Sequence, residues 1–174
     1  AELIASAQTP HNALATEIAH AAGLRAHELL TLCPVAERAA DPRPALDSKW
    51  KGRSGEIYTV QGKGGLTREV MIPHELAARL EERRLDAPQV VTDRGVFYQS
   101  SYDIGGGQRW SNSVSAASER TMGRSTGAHG LRHSYAQERM TELQNRGLSR
   151  DAALETVSQE MGHFRPEITE TYLR

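Results

Sequence analysis

The stretch that decides the reading of this chain is His129-Gly130-Leu131-Arg132-His133. On a helix, His129 and Arg132 stand at i and i+3 and share one face. A guanidinium presents a rigid fork of donors that matches phosphate oxygens. An imidazole beside it can move a proton or hydrogen-bond a phosphate near neutral pH. The pair therefore points to phosphate chemistry. By itself it is also compatible with an ordinary solvated helix face, because chance alone yields about 0.7 His-x-x-Arg pairs in such a chain. His129 and His133, at i and i+4, have metal-ligand spacing, but the sequence offers no third ligand.

Working outward, Gly123 to Gly127 reads as a linker into a helix over residues 130–146, with Leu131, Tyr135 and Leu143 inward and Gly147 as its stop. Ser149 caps a following helix that carries Ala153, Leu154 and Val157 to Met161 and ends at Gly162. His163 follows directly. Pro166 starts a last short helix with Ile168, Tyr172 and Leu173. Upstream, Trp110 or Ser111 begins a helix to about Met122, with Val114 inward. The Gly105-Gly106-Gly107 run is followed by no Gly-Lys-Ser/Thr, so it reads as a flexible loop and not as a phosphate loop.

The N-terminal half has other periods. Thr9-Pro10 opens a helix through Leu14, Ile18 and Ala22 that stops at Gly23. A second short helix starts near Arg25 and carries Leu29, Leu30 and Leu32. Residues 34–44 hold three prolines and read as a loop. Residues 45–51, 56–60 and 67–72 then read as a three-stranded antiparallel meander. Its turns are Gly52-Arg53-Ser54-Gly55 and Gly62-Lys63-Gly64-Gly65, which sets Lys63 at a glycine-flanked hairpin tip. Pro73 opens a helix with Leu76, Leu80 and Leu85 inward. Residues 86–110 read as irregular, with a short strand at Val90-Val91.

Composition bounds the function classes. The chain has 174 residues, 38% of them hydrophobic and 25% charged, which suits one packed soluble domain. No apolar run approaches the ~20 residues that span a bilayer, and the start of the chain does not resemble a secretory signal. A single cysteine, Cys33, excludes an internal disulfide and a cysteine metal cage, and fits a reducing compartment. The formal net charge is −1, yet charge is unevenly spread. Residues 43–68 hold six cations against Asp47 and Glu56, a net of +4. Residues 151–170 hold five acids against Arg165, a net of −4. A local basic patch can bind phosphates in a near-neutral protein.

Four stretches together resemble the catalytic domain of the tyrosine recombinases, the phage-integrase family. Gly23-Leu24-Arg25-Ala26-His27-Glu28-Leu29-Leu30 is similar to the family's first arginine box. Gly62-Lys63-Gly64-Gly65, with Arg68 and Pro73 after it, is similar to the hairpin lysine. His129-Gly130-Leu131-Arg132-His133 is similar to the His-x-Leu-Arg-His box. Met161-Gly162-His163, then Thr169 and Tyr172, is similar to the Leu-Gly-His … Thr-x-x-Tyr ending, with the family's nine-residue step from His163 to Tyr172. The boxes stand in family order and span Gly23 to Tyr172. Two departures are visible. The stretch from Arg132 to His163 is a few residues longer than usual, which places an insertion near residues 145–151. The chain also ends two residues after Tyr172, where family members continue into a tail that packs on a neighbouring subunit.

The resemblance implies an α+β, mainly helical catalytic fold with a small three-stranded antiparallel sheet over residues 1–174, the family's core-binding and arm-binding domains lying outside this chain. It implies a metal-independent site-specific DNA recombinase or integrase that needs no cofactor. Its partners are double-stranded DNA and, in the synaptic complex, three further copies in a homotetramer; its setting is the bacterial cytoplasm, with no membrane role. Arg25 and Arg132 would clamp the non-bridging oxygens of a phosphodiester, whose negative charge otherwise repels nucleophiles. Tyr172 would be the nucleophile, His129 the base, Lys63 the acid for the leaving 5′ oxygen and His163 a phosphate hydrogen-bond partner. A type IB topoisomerase shares this chemistry, and a non-catalytic DNA-binding module or a helical interaction domain are the other classes. The remaining histidines, His11, His20, His27, His74 and His133, are read as non-catalytic.

Overall fold

The computed structural model describes residues 1–125, 127–163 and 165–174, and of Lys63 it describes the backbone. The helix opened by Thr9-Pro10 is α2 (Pro10–Ala22), preceded by a short α1 (Glu2–Ser6). Thr9 holds the extended N-cap conformation, though its hydroxyl makes no cap bond, and Pro10 fills the first helical position. Gly23 ends the helix in a left-handed conformation, φ 69°, with its N–H on Ala19 O. A side chain there would meet the Tyr135 ring at 2.8 Å. Glycine thus lets the end of α2 press against a later helix. The expected second helix is a single 3-10 turn, Glu28–Thr31.

The three-stranded antiparallel sheet forms in the order β1 (Cys33–Pro34), β2 (Glu56–Gln61), β3 (Thr67–Ile72). Strands β2 and β3 pair from Glu56↔Ile72 to Gln61↔Thr67. The edge strand differs from the expectation: Cys33 and Pro34 pair with Thr59 and Tyr58, while residues 45–51 form no strand. Their polar groups go elsewhere. Leu46 N donates to Gln159 Oε1, Trp50 N donates to Glu160 Oε2, and Ser48 Oγ lies 2.6 Å from Thr156 Oγ1. A backbone donor satisfied by a helix side chain is not available to a sheet ladder.

After α3 (His74–Glu81) the chain departs from the irregular segment expected of residues 86–110. Leu85 belongs to a strand and not to α3. Strands β4 (Arg84–Asp93) and β5 (Val96–Tyr102) form a long hairpin closed by Arg94-Gly95. Both turn residues have positive φ, 48° and 78°, as a twist-matched two-residue hairpin turn requires. The Gly105-Gly106-Gly107 run is packed and not a loose loop: an added Cβ would meet Asn12 Oδ1 at 2.2 Å at Gly105 and Leu30 Cδ2 at 2.6 Å at Gly106. Gly107 begins α4 (Gly107–Met122).

The last helices are α5 (His129–Asn145), α6 (Arg150–Met161) and α7 (Pro166–Glu170); the first two follow the sequence reading, while α7 ends before Tyr172 and Leu173, which were expected on it. Ser149 Oγ accepts from Ala152 N, and Gly162 closes α6 at φ 79°. The core has two parts. One joins α2, the three-stranded sheet, α3 and α4 around Leu14, Ile18, Val60, Ile72, Leu80 and Trp110. The other seals α5 to α6 through Tyr135, Met140, Leu143, Leu154, Val157 and Met161. The architecture is a mainly helical α+β fold. No helix among the described residues is long and apolar enough to cross a membrane.

Candidate active site

The reversal at Gly23 turns the chain so that Glu28 folds back on its own loop, where Oε1 accepts from Arg25 N at 2.8 Å. Glu28 is fully buried. A buried carboxylate must be paired, and this one is surrounded by three guanidiniums. Arg68 grips it with two bonds, Nε to Oε2 at 3.1 Å and Nη2 to Oε1 at 3.0 Å. Arg25 Nη1 lies 3.6 Å from Oε2, and Arg132 Nη1 lies 3.9 Å from Oε1. Burial alone would raise the Glu28 pKa; the field and hydrogen bonds of Arg68, then Arg132 and Arg25, override it and hold the group at about 2. Three cations share one anion, so the cluster keeps excess positive charge.

Arg132 is the centre of the cluster. It leaves α5 one turn after His129 and is 1% exposed. Its Nη1 donates to Gly23 O, and Nη2 reaches His163 Nε2 at 3.1 Å and Met161 O at 3.4 Å. Its Nε has no hydrogen-bond partner among the described residues. Burial, and then the Arg25 charge, push its pKa down to about 10, with Glu28 opposing; it is charged at neutral pH. His163 follows the left-handed Gly162 and turns inward, with Nδ1 2.7 Å from Thr169 Oγ1. Burial and the charges of Arg132, Arg25 and Arg68 push its pKa down to about 3, against Glu28.

Tyr172 comes back onto this cluster from beyond α7. Its ring centroid lies 5.2 Å from the Arg132 guanidinium carbon, stacks on His163 at 5.5 Å and tilts against His133 at 4.9 Å. Arg25, His129 and Arg132 line one open cleft of about 920 Å³, with His27, Gly62, Gly64 and Gly65. The backbone of Lys63 forms a 3-10 turn with Gly64 and Gly65, so the turn borders that cleft; the Lys63 side chain lies outside the described residues. Of the six residues read from the sequence, Arg25, His129 and Arg132 line this cleft, and His163 and Tyr172 touch Arg132 without being among the residues that line it. Among the described residues no group of three or more His, Cys, Asp or Glu side chains could hold a metal ion.

Several residues of the site were not read as such from the sequence. Glu28 and Arg68 lay within the quoted motifs but carried no assigned role. Arg68 also donates to Glu160 O at 2.9 Å, and it packs so closely on Gly162 that a Cβ there would meet its Cδ at 2.6 Å. It therefore ties β3 to the turn that carries His163. The far wall of the cleft, Arg94, Val96, Phe97 and Tyr98 of the β4–β5 hairpin, gave no sequence signal, because the hairpin itself was not legible.

Fold and sheet define a tyrosine-recombinase-like catalytic fold. Two solved structures share it: the XerH site-specific recombinase bound to difH substrate in a pre-cleavage complex, with TM-score 0.57, and the same recombinase bound to palindromic difH substrate in a post-cleavage complex, with TM-score 0.59. Each is 19% identical to this chain and covers 99% of it. The match takes in 48% and 47% of the respective recombinase chains, so this chain spans about half the length of the structures it matches. No family model matches the chain, and no curated protein does.

Proposed function

We propose that this chain is the catalytic domain of a site-specific DNA recombinase or integrase that cuts and rejoins strands through a 3′-phosphotyrosine. In this reading the scissile phosphate sits in the cleft, its non-bridging oxygens facing Arg25 and Arg132. Tyr172 Oη attacks phosphorus while the bond to the 5′ oxygen breaks. His129 takes the phenol proton, and Lys63 gives one to the departing 5′ oxygen. Arg132, braced by its contact to His163 Nε2, holds the phosphate as negative charge grows on it. The phosphotyrosyl bond replaces the one broken, so rejoining is the same step in reverse with the 5′ hydroxyl of another strand. No nucleotide cofactor enters the balance. The working assembly in this reading is a homotetramer on paired duplex sites.

The observation that carries the proposal is the imbalance of charge around Glu28. Arg25, Arg68 and Arg132 share that one buried carboxylate, and a phenol ring stands 5.2 Å from the most buried of these three guanidiniums. Buried charge left over in this way favours an anion at the cleft, and preorganised cations stabilise a phosphoryl transition state most effectively where water is excluded. The test uses a nicked duplex that lets the cleaved end diffuse away. The protein is expected to form a covalent protein–DNA band, and Tyr172→Phe is expected to lose it; a band that persists in Tyr172→Phe removes Tyr172 as the nucleophile.

A further inference from the structure

The β4–β5 hairpin holds one wall of the cleft, and its surface is unusual. Phe97 is 75% exposed and Val90 65%. In the antiparallel register Phe97 opposes Thr92, and Val90 opposes Gln99. Paired residues share a face and alternate residues share a face, so Phe97 and Val90 are diagonal neighbours on one side of the hairpin. A single exposed apolar side chain is ordinary on a surface, whereas adjoining ones on one face, as here, point to a contact surface.

The hairpin is held rigidly where it meets the body. On its other face Ser100 Oγ donates to Leu30 O at 2.8 Å, and Tyr102 OH donates to Glu81 Oε1 at 2.6 Å. At the tip Asp93 turns inward, and Oδ1 accepts from Gln108 N at 2.8 Å, at the start of α4. With Asp93 so engaged, Arg94 Nε leans on Oδ2 at 3.4 Å while its side chain stays 62% exposed. Both Arg94 and Phe97 border the cleft that Arg25 and Arg132 floor. A cation and an aromatic ring are therefore presented, preformed, beside the anion clamp.

We propose that the β4–β5 hairpin is a second DNA contact, in which Arg94 pairs with a backbone phosphate next to the one held by Arg25 and Arg132, and Phe97 packs on the adjacent deoxyribose. This deepens the strand-cleavage reading and rests on it. Continuity with the clamp sets the register: a strand laid through the cleft runs directly past both side chains. Phosphate contacts fix position on a duplex, and an apolar ring beside them buries the carbon surface of the neighbouring sugar.

Binding of a fluorescent nicked duplex of mixed sequence, followed against salt, tests this. Arg94→Asn removes the charge but tolerates the left-handed turn, so a loss reports the contact and not backbone strain. It should lower the slope of log affinity against log salt by about one. Phe97→Ser should weaken binding about tenfold with the slope unchanged, the effect of losing burial of an apolar ring. Phe97 is so exposed that its truncation leaves the core intact. Wild-type slope and affinity in both variants, with covalent adduct still formed by the unmodified protein, would overturn the hairpin contact and leave the cleavage reading standing. Wild-type duplex affinity in Phe97→Ser combined with lost pairing of two DNA-bound copies would also overturn it, by assigning the face to a second copy of the chain. An unmodified protein that neither binds the duplex nor forms adduct would sink both.

Discussion

Arg132 Nη2 stands 3.1 Å from His163 Nε2, and that contact sets the histidine's tautomer. A guanidinium only donates, so Nε2 accepts and Nδ1 carries the proton. Nδ1 then donates to Thr169 Oγ1, 2.7 Å away. Ser158 Oγ donates to Leu154 O, which leaves it as the acceptor for the Thr169 hydroxyl at 2.7 Å. The bonds run one way from Arg132 through His163, Thr169 and Ser158 to the backbone of α6. The neutral ring is held in place from both sides.

This chain of bonds gives Thr169 a positioning role. Thr169→Val keeps the shape and removes the acceptor for Nδ1–H. It is expected to cost about 1–3 kcal/mol in denaturant unfolding, the usual loss for a buried polar group left unpaired. Nitrogen chemical shifts of His163 should also move away from a single Nδ1–H form, and adduct formation should slow. Thr169→Ser should restore all three. Unchanged His163 shifts in Thr169→Val would refute the directed chain.

The proximity of Tyr172 to Arg132 within one chain predicts cleavage in cis. Arg132→Lys keeps a charge but loses the fork, and adduct formation should fall about a hundred- to a thousandfold, with duplex binding reduced far less. Mixing Arg132→Lys with Tyr172→Phe should not restore adduct, since neither protein then holds both groups. Restoration on mixing would show that one copy lends its phenol to another.

A third prediction concerns acid. The folded-state pKa of His163 lies at about 3, below its ordinary 6.5. A group depressed in this way contributes its full stability above the unfolded value and loses it as pH falls toward the folded one. Stability should therefore begin to drop below about pH 6.5, where the unfolded chain takes up the proton that the folded one refuses. Glu28, held at about 2 against 4.5, adds its own loss only below about pH 4.5. His27, also lowered by burial, contributes to the upper window, so the comparison to make is His163→Gln against the parent. Denaturant midpoints between about pH 7 and about pH 4.5 should fall less steeply in His163→Gln; equal slopes would mean that His163 titrates normally.

Much of this could be read without coordinates because the signals are local. Thr9-Pro10 with Gly23, and Ser149 with Gly162, bound helices through backbone groups within a turn of each end. The β2–β3 hairpin was legible from its glycines, and the boxes around Arg25, Arg132, His163 and Tyr172 stood out by their resemblance to a known family. The β4–β5 hairpin was hidden because Arg94 holds a turn position that usually belongs to Asn or Gly, and because Pro88 interrupts the strand pattern beside the register shift at Arg84/Gln89.

Helix termini, the β2–β3 pair and the identities of the gathered residues were thus set by the chain itself, since each depends on neighbours a few positions away. Tertiary structure alone decided that Cys33 and Pro34, and not residues 45–51, would edge the sheet, because the backbone of 45–51 found better partners on α6. It alone made Glu28 the common counter-charge, reached by Arg68 across 40 positions, and brought Arg132 to Gly23 O across 109. Such choices are competitions between distant partners for one donor or one charge, and folding settles them by which pairing leaves the fewest buried groups unsatisfied.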